Sequence, residues 1–596
     1  MGANEEIADR LARMGHMLEI LGENRFRIIA YERAAAAIRD LSTDITELAS
    51  DPKKLGAIEG IGDKMAAKIV QYVQTGRITE YDEMTRKVPE GLLDIMSIPG
   101  VGPKSVKLMW DKLGVTDLAG LKSHMDDGSL AELPRMGART VENIRAALKF
   151  LATSGERPPL GLAAPVAQGV CEHMSQIKGV RKVACAGSLR RGRETIGDID
   201  ILVVADDPAA ASKAFQTMPG VGKVLAAGAT KSSVRLRAHV EDRRLKEGAG
   251  PEMQADLRVV PAESWGAALM YFTGSKEHNV RLRERALKQH MTLNEYGLFP
   301  EDPTERHEGP PQARGVKPVA GATEDEVYTA LGLPYIPPEI REARGELELT
   351  ETPRLITVDD VKAELHAHTT ASDGHLKLPE LIAAAKARKF HTICVTDHSQ
   401  SSVQAGGLTV DRLRAQREQI DELGETTKGI QILHGSEVDI LTDGRLDYPD
   451  EVLAELDIVV ASPHAALRQD TATATRRLIR AIENPFVRVL GHPTGRLIGR
   501  RVGLELAIDE IIAAAKQHDV ALEINANWLR LDLRDTHVRA AVEAGCLIAI
   551  NCDVHATADF DMLPYGVTTA RRGWLTPKQC VNTWTRPKLR KWLARK

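Results

Sequence analysis

A chain of 596 residues exceeds what one hydrophobic core supports, and roughly three to five domains are expected. The formal charge is close to balanced, at −4 with 79 basic and 83 acidic residues, which excludes a uniformly basic nucleic-acid coat and makes any such surface local. Six cysteines with no C-x-x-C pair fit reduced thiols in a cytoplasm, and the chain opens on no signal peptide and contains no apolar run long enough for a bilayer.

Residues 1–85 read as helical. An apolar stripe at helical spacing runs from Ile7 to Leu21, and an alanine-rich face continues it from Tyr31 to Leu41. A glycine-punctuated unit then recurs at Ile58–Lys64, Ile98–Lys104 and Leu133–Arg139, each time leading into an amphipathic helix, with Arg135 standing at the first glycine position of the third copy. Gly60, Gly62, Gly100 and Gly102 would put backbone N–H groups at helix N-termini, where they can hold a phosphate without reading bases. These units resemble the helix-hairpin-helix element of DNA repair proteins and assign residues 1–85 and 86–155 to two helical DNA-binding domains. One such turn could simply join two packed helices; three in series favour the DNA backbone.

The stretch Gly187-Ser188-Leu189-Arg190-Arg191-Gly192 is followed closely by Asp198-Ile199-Asp200-Ile201. On a strand, Asp198 and Asp200 project to one face while Ile199 and Ile201 enter a core. Paired carboxylates on one face grip a divalent metal. The glycine lets backbone approach a phosphate, and Arg190 and Arg191 offer planar forks to its oxygens. An isolated Asp-x-Asp is usually a solvated surface pair, but the ordered combination of both halves is far more specific.

This stretch resembles the nucleotidyltransferase palm (156–262) of family X DNA polymerases, the kin of DNA polymerase beta. The resemblance implies a third metal-holding aspartate, Asp256, and Mg²⁺ or Mn²⁺ at the site. It also implies triphosphate contacts from Arg157, Gly187, Ser188 and Arg191. Beyond the palm, Tyr271, Phe272 and Gly274 would form the wall under the incoming sugar, with Asn279 and Arg283 toward the minor groove; Lys276 replaces an acidic residue of polymerase beta. Read without the resemblance, Tyr271–Ser275 could be an ordinary buried strand end. A thumb-like domain (263–340) and a linker (341–360) complete this half. Within the first domain, Lys68 falls where that family can carry a Schiff-base lysine for abasic sugars, with Lys64 one turn before it. Arg27 and Tyr31 are candidates for holding a 5′-phosphate, and Phe26 stands where polymerase beta has a histidine. A lysine on a solvated helix face remains the plainer account of Lys68.

From Val361 to the end, apolar runs alternate with alanine-rich helical stretches, which argues for parallel strands with crossover helices. The runs share a habit of ending in potential metal ligands, and eleven of the 18 histidines lie after residue 360. Ligands at successive strand C-termini converge on one face of a (β/α) barrel. This half resembles the PHP (polymerase and histidinol phosphatase) domain, a distorted (β/α)7 barrel at 361–596. The resemblance implies a trinuclear site of His366, His368, Asp373, His398, Glu437, His464, His492, Asp553 and His555. A nitrogen-rich set of this kind suits Zn²⁺ and/or Mn²⁺, up to three ions, better than Mg²⁺. His375, His391, His434, His518 and His537 read as bystanders.

The expected fold is therefore multidomain, α+β and α/β: helical helix-hairpin-helix domains, palm and thumb, then the PHP barrel. The expected function is DNA-directed DNA synthesis filling short gaps in repair, joined to a metal-dependent 3′–5′ exonuclease that could also cut at abasic sites or remove 3′-phosphates. Gapped or primed DNA and deoxynucleoside triphosphates are the expected partners, with a monomer in the cytoplasm at the nucleoid. Two alternatives stay open: the barrel as a small-molecule phosphatase, and the polymerase half as a non-catalytic DNA clamp, although a clamp has no use for three crowded aspartates.

Overall fold

The structure is a computed structural model and describes residues 3–39, 45–49, 52–56, 58, 60–96, 98, 101–134, 136–137, 140–141, 144–145, 157–237, 252–300 and 311–594. The chain divides into two compact units, Met1–Glu156 and Arg157–Lys596.

Among the described residues the first unit is all helical. The predicted stripe forms a helix at Ala3–Leu21, and its face of Ile7, Leu11, Met14 and Leu18 is buried with Tyr31, Ala34 and Ile38 of the helix Arg25–Arg39. Gly62 and Gly102 stand in extended backbone as N-caps of the helices Asp63–Thr75 and Pro103–Leu113. Their carbonyls accept the first bonds of each helix, from Met65 and Ala66 and from Ser105 and Val106. The third unit repeats the pattern: Thr140 and Val141 donate to the carbonyl of Gly137. Arg135 and Gly100 lie outside the described residues. Gly60 adopts φ +97°, and a Cβ there would meet the carbonyl of Arg33 at 3.2 Å, so glycine is required.

Among the described residues the second unit contains two large sheets and a two-stranded hairpin. In the palm, β1 (Val180–Cys185), β2 (Asp198–Ala205), β3 (Val221–Ala227), β4 (Lys231–Arg237) and β5 (Glu252–Val259) take the order β1-β2-β5-β4-β3. β2 and β5 run parallel with Asp200 paired to Asp256. The alternation of β2 is as expected: Ile199 and Ile201 are fully buried among Leu160, Val170 and Phe215, while the aspartates occupy the other face. Tyr271–Thr273 end the helix Trp265–Thr273, where a strand end had been one reading. The helices Lys276–Lys288 and Glu324–Ala330 and the hairpin β6 (Met291–Asn294) and β7 (Gly297–Pro300) build the thumb core around Leu282, Leu298 and Tyr328.

The other sheet has seven strands in sequential, wholly parallel order: β8 (Ala363–Glu364), β9 (Thr392–Val395), β10 (Gln431–Asp439), β11 (Ile458–Ser462), β12 (Val487–Leu490), β13 (Ala521–Asn525) and β14 (Ile548–Asn551). Ala367 bridges Val554, with His368 N donating to Val554 O at 2.7 Å, so the first and last strands nearly close a barrel. The segment 341–360 is a strap, and its charges are not those of a solvated spacer. Arg341 and Glu346 are fully buried, Arg341 against Glu324 at 2.6 Å and Glu346 against His278 at 2.7 Å. Burying a charge is tolerated only with such partners.

Two candidate metal centres

In the palm, a cavity of about 420 Å³ opens over β2. Arg157, Gly187, Ser188 and Arg191 line one side with Asp198 and Asp200; Tyr271, Phe272, Gly274, Asn279 and Arg283 line the other. Every expected nucleotide contact thus faces one space. Asp198, Asp200 and Asp256 offer oxygens within 4.8 Å of one another. Burial, then the charges of Asp198 and Asp256, push the Asp200 carboxyl up to about 7, and burial with Asp256 raises Asp198. Such crowding is what a divalent cation relieves, so the residues fit the expected ions. Ser233 Oγ and Gln254 Nε2 donate to Asp256 and fix it on β5. Gly187 has φ +65°, and a Cβ there would lie 2.2 Å from Asp200 Oδ2, so only glycine lets the turn approach the carboxylate.

Arg190 and Arg191 part company. Arg190 gives its fork to Glu324, at 2.8 and 2.7 Å, and bonds Thr273 Oγ1. It holds palm to thumb and does not join Arg191 in the cavity, which corrects the expectation that both serve a phosphate. A planar fork satisfied bidentately by one carboxylate has little left for another anion.

The barrel gathers all nine expected ligands at the C-terminal ends of its strands. They form four overlapping groups with ligand atoms within 4.8 Å: His368, Asp373, His398 and His555; His366, His492 and Asp553; His366, His368 and Glu437; His398, Glu437 and His464. None of His375, His391, His434, His518 and His537 joins a group. Buried His366 Nε2, both ring nitrogens of His368, His398 Nδ1, His492 Nδ1 and Glu437 Oε1 have no hydrogen-bond partner. Several of them meet one another only as charges, as His366 Nε2 does Glu437 Oε1 at 3.3 Å, and polar atoms buried without hydrogen bonds at this density are costly unless they coordinate, so the set fits cations. Although burial opposes it, His464, His366 and His398 hold Glu437 well below the usual carboxylate range, and His366 and His368 act likewise on Asp553. Against burial, Glu437 and Asp439 lift His464 to about 10.

Sequence reasoning missed the groups that orient these ligands. Glu523, in the middle of β13, accepts from His366 Nδ1 at 2.8 Å and from His492 N at 2.7 Å; Asp439 receives His464 Nδ1, and Asn525, the last residue of β13, donates to Asp553 at 3.0 Å. The only signal was position: Glu523 and Asn525 share one face of a strand whose neighbours in the sheet carry ligands at their ends. Such partners fix the tautomer and raise ligand basicity, so Glu523→Gln is expected to weaken metal binding by about 10–100-fold. Calorimetric titration of the metal-stripped protein with Zn²⁺ or Mn²⁺ measures it; an unchanged affinity removes Glu523 from this role.

In the helical unit, Lys68 Nζ lies 2.9 Å from Glu80 Oε2, and Arg27 and Tyr31 donate to Glu80 Oε1 at 2.9 and 2.8 Å. The three groups considered for an abasic sugar and its phosphate thus converge on a carboxylate of the same unit. Glu80→Ala is expected to strengthen binding of 5′-phosphorylated gapped DNA several-fold by freeing Arg27 and Lys68. Fluorescence anisotropy with 5′-phosphate and 5′-hydroxyl gaps checks it, and an equal change for both would contradict it.

Comparison with known proteins agrees with this layout. Family models match a helix-hairpin-helix domain at 2–78, a SAM-like helix-hairpin-helix tandem at 92–149, a DNA polymerase beta palm at 162–239, a DNA polymerase beta thumb at 268–342 and a PHP domain at 364–527. The chain is 37% identical over 566 residues, 95% of each sequence, to the DNA polymerase/3′-5′ exonuclease PolX of Bacillus subtilis strain 168. It is 27% identical to DNA polymerase lambda of Rattus norvegicus, over 57% of this chain and 56% of that one. A probable phosphatase of Thermoanaerobacter sp. strain X514 is 28% identical over 37% of this chain and 91% of its own.

Proposed function

The chain belongs to the family X DNA polymerases that carry a C-terminal PHP domain, and from that premise we propose that it fills short gaps during DNA repair and trims 3′ ends with the barrel. The observation that carries this reading is the presence, in one compact unit, of a complete aspartate triad and a separate nine-ligand cluster. Asp198 and Asp200 would hold two Mg²⁺ or Mn²⁺ ions and Asp256 the one beside the primer 3′-hydroxyl. The nine barrel ligands would hold up to three Zn²⁺ or Mn²⁺ ions. When bound, such ions supply Lewis acidity and neutralise charge at the phosphorus undergoing displacement.

The chain's own residues do the positioning. Ser188, Arg191 and the Gly187 turn cradle the triphosphate, with Arg157 at its rim, so that attack on the α-phosphorus is in line. Tyr271, Phe272 and Gly274 wall the sugar, and Asn279 and Arg283 reach the minor-groove edge of the nascent pair. Backbone N–H groups at the three glycine turns hold the duplex without reading its sequence. The barrel's action on DNA extends, in this reading, to blocked 3′ ends and abasic sites. The protein works as a monomer at the nucleoid; among the described residues no helix is long and apolar enough to cross a membrane.

The test is a 5′-labelled primer in a one-nucleotide gap with purified protein and Mn²⁺. The primer should lengthen with nucleotides and shorten without them. Shortening alone would reduce the polymerase half to a DNA holder. Lengthening alone would turn the barrel into a phosphatase for some other ester.

A further inference from the structure

A run of buried, alternating charges crosses from the palm through the strap into the barrel. It begins at Arg191, whose guanidinium Nε donates to Glu342 Oε1 at 3.0 Å and whose Nη1 donates to the carbonyl of Thr273. That leaves the other edge of the fork for the cavity it lines with Ser188 and Gly187. Glu342 Oε1 also accepts from Arg572 Nη1 at 2.9 Å. Arg572 then turns its remaining N–H groups on Asp535 Oδ2, at 3.1 and 2.7 Å, and Asp535 is shared with Arg344 at 3.2 Å.

Arg572 has a second hold on the same turn, because its Nη1 lies 2.7 Å from the backbone carbonyl of Arg191. It ends the barrel helix Leu563–Arg572, which abuts the palm so closely that a Cβ on Gly192 would lie 2.0 Å from Thr568 Cγ2. Side chains along the run are nearly dry: Arg572 is 3% exposed and Glu342 9%. Arginines beside Glu342, Arg572 foremost, hold its carboxyl near 2 against the effect of burial, so it stays charged.

We propose that Arg572 and Glu342 are positioning residues of the polymerase site, through which the barrel helix aims Arg191 at the triphosphate. This rests on the reading of Arg191 as a triphosphate ligand. Glu342 fixes the side chain from behind, Arg572 fixes both Glu342 and the backbone of the turn, and Asp535 fixes Arg572 within the barrel. Neither residue touches the nucleotide. Because coupling is reciprocal, nucleotide binding must in turn tighten the end of the barrel helix.

The experiment compares Arg572→Gln, Glu342→Gln and Arg191→Gln in steady-state single-nucleotide gap filling, with digestion of a 3′ end in the absence of nucleotides as a second readout. For Arg572→Gln and Glu342→Gln the KM for nucleotide should rise about tenfold, with kcat within a few-fold of wild type and digestion unchanged. A KM unchanged in both overturns the proposal. A fall in KM for Glu342→Gln would make this carboxylate a competitor for Arg191 and overturn it as well. If Arg191→Gln itself leaves KM unchanged, the reading of the triphosphate site has failed instead. Arg572→Gln leaves Asp535 buried against a weaker partner, so hydrogen exchange on the wild-type protein supplies an arm that needs no variant. With a dideoxy-terminated gapped primer, the correct nucleotide should slow exchange in Leu563–Arg572; no change there overturns the proposal.

Discussion

Asp200→Ala is expected to lower nucleotide addition by about a thousandfold or more while 3′ digestion continues. Asp200 is paired across β2 and β5 with Asp256 and lies one pleat from Asp198, so its loss removes one of the two carboxylates that would hold both expected ions. The fold should survive, since the strand is held by Ile199 and Ile201 on its other face. Stability should in fact rise. Burial and like charge lift the Asp200 pKa from 3.8 to about 7, so ionisation in the folded chain opposes folding at pH values above the unfolded pKa. The penalty grows as pH rises toward the folded pKa and levels off beyond it, on the order of 4 kcal/mol in metal-free buffer. Asp200→Asn should therefore melt above wild type at pH 8 in chelator, with a smaller gap at pH 5. Loss of digestion together with extension would show one shared centre; equal melting temperatures at both pH values would show that the carboxylates are not crowded.

Much of this site was legible because its chemistry recurs at fixed places along strands. Asp198 and Asp200 are separated by one core residue, and the barrel ligands lie in or just beyond parallel strands, so spacing draws candidates to one face and the family resemblance marks the nine among them. Roles that depend on which partner a charge finds were not legible. Arg190 and Arg191 are neighbours of one type, yet one is spent on Glu324 and the other faces the cavity. Glu523 looks like one more acidic ligand on a barrel strand, but it points its carboxylate at His366 Nδ1. The segment 341–360 read only as a linker because Arg341 and Glu346 look the same in a sequence whether they meet water or Glu324 and His278. The third glycine unit shows the converse: Arg135 departs from the motif, but the helix-starting bonds depend on Gly137, whose carbonyl accepts from Thr140 and Val141.

The opposite separation of activities is expected for His366→Ala, which should abolish 3′ digestion, by about a thousandfold or more, and leave gap filling intact. His366 belongs to two of the four ligand groups and stands 3.3 Å from Glu437 and 3.6 Å from Asp553 through Nε2, while Nδ1 anchors it to Glu523. The ring reaches three carboxylates, as His368 does with Asp373, Glu437 and Asp553, and it is shared by two ligand groups, so its removal should empty more than one metal position. It also leaves Glu437, Asp553 and Glu523 facing one another with less positive charge, and the barrel should lose stability when metal is stripped. Gap filling serves as the control for global folding, because the palm strand β2 and the thumb have cores of their own. Metal content after dialysis, measured beside both activities, completes the test. A variant that keeps its metals and still digests DNA would displace His366 from the centre. One that loses extension as well would mean that the barrel's integrity, and with it Arg572 against the palm, is a condition for synthesis.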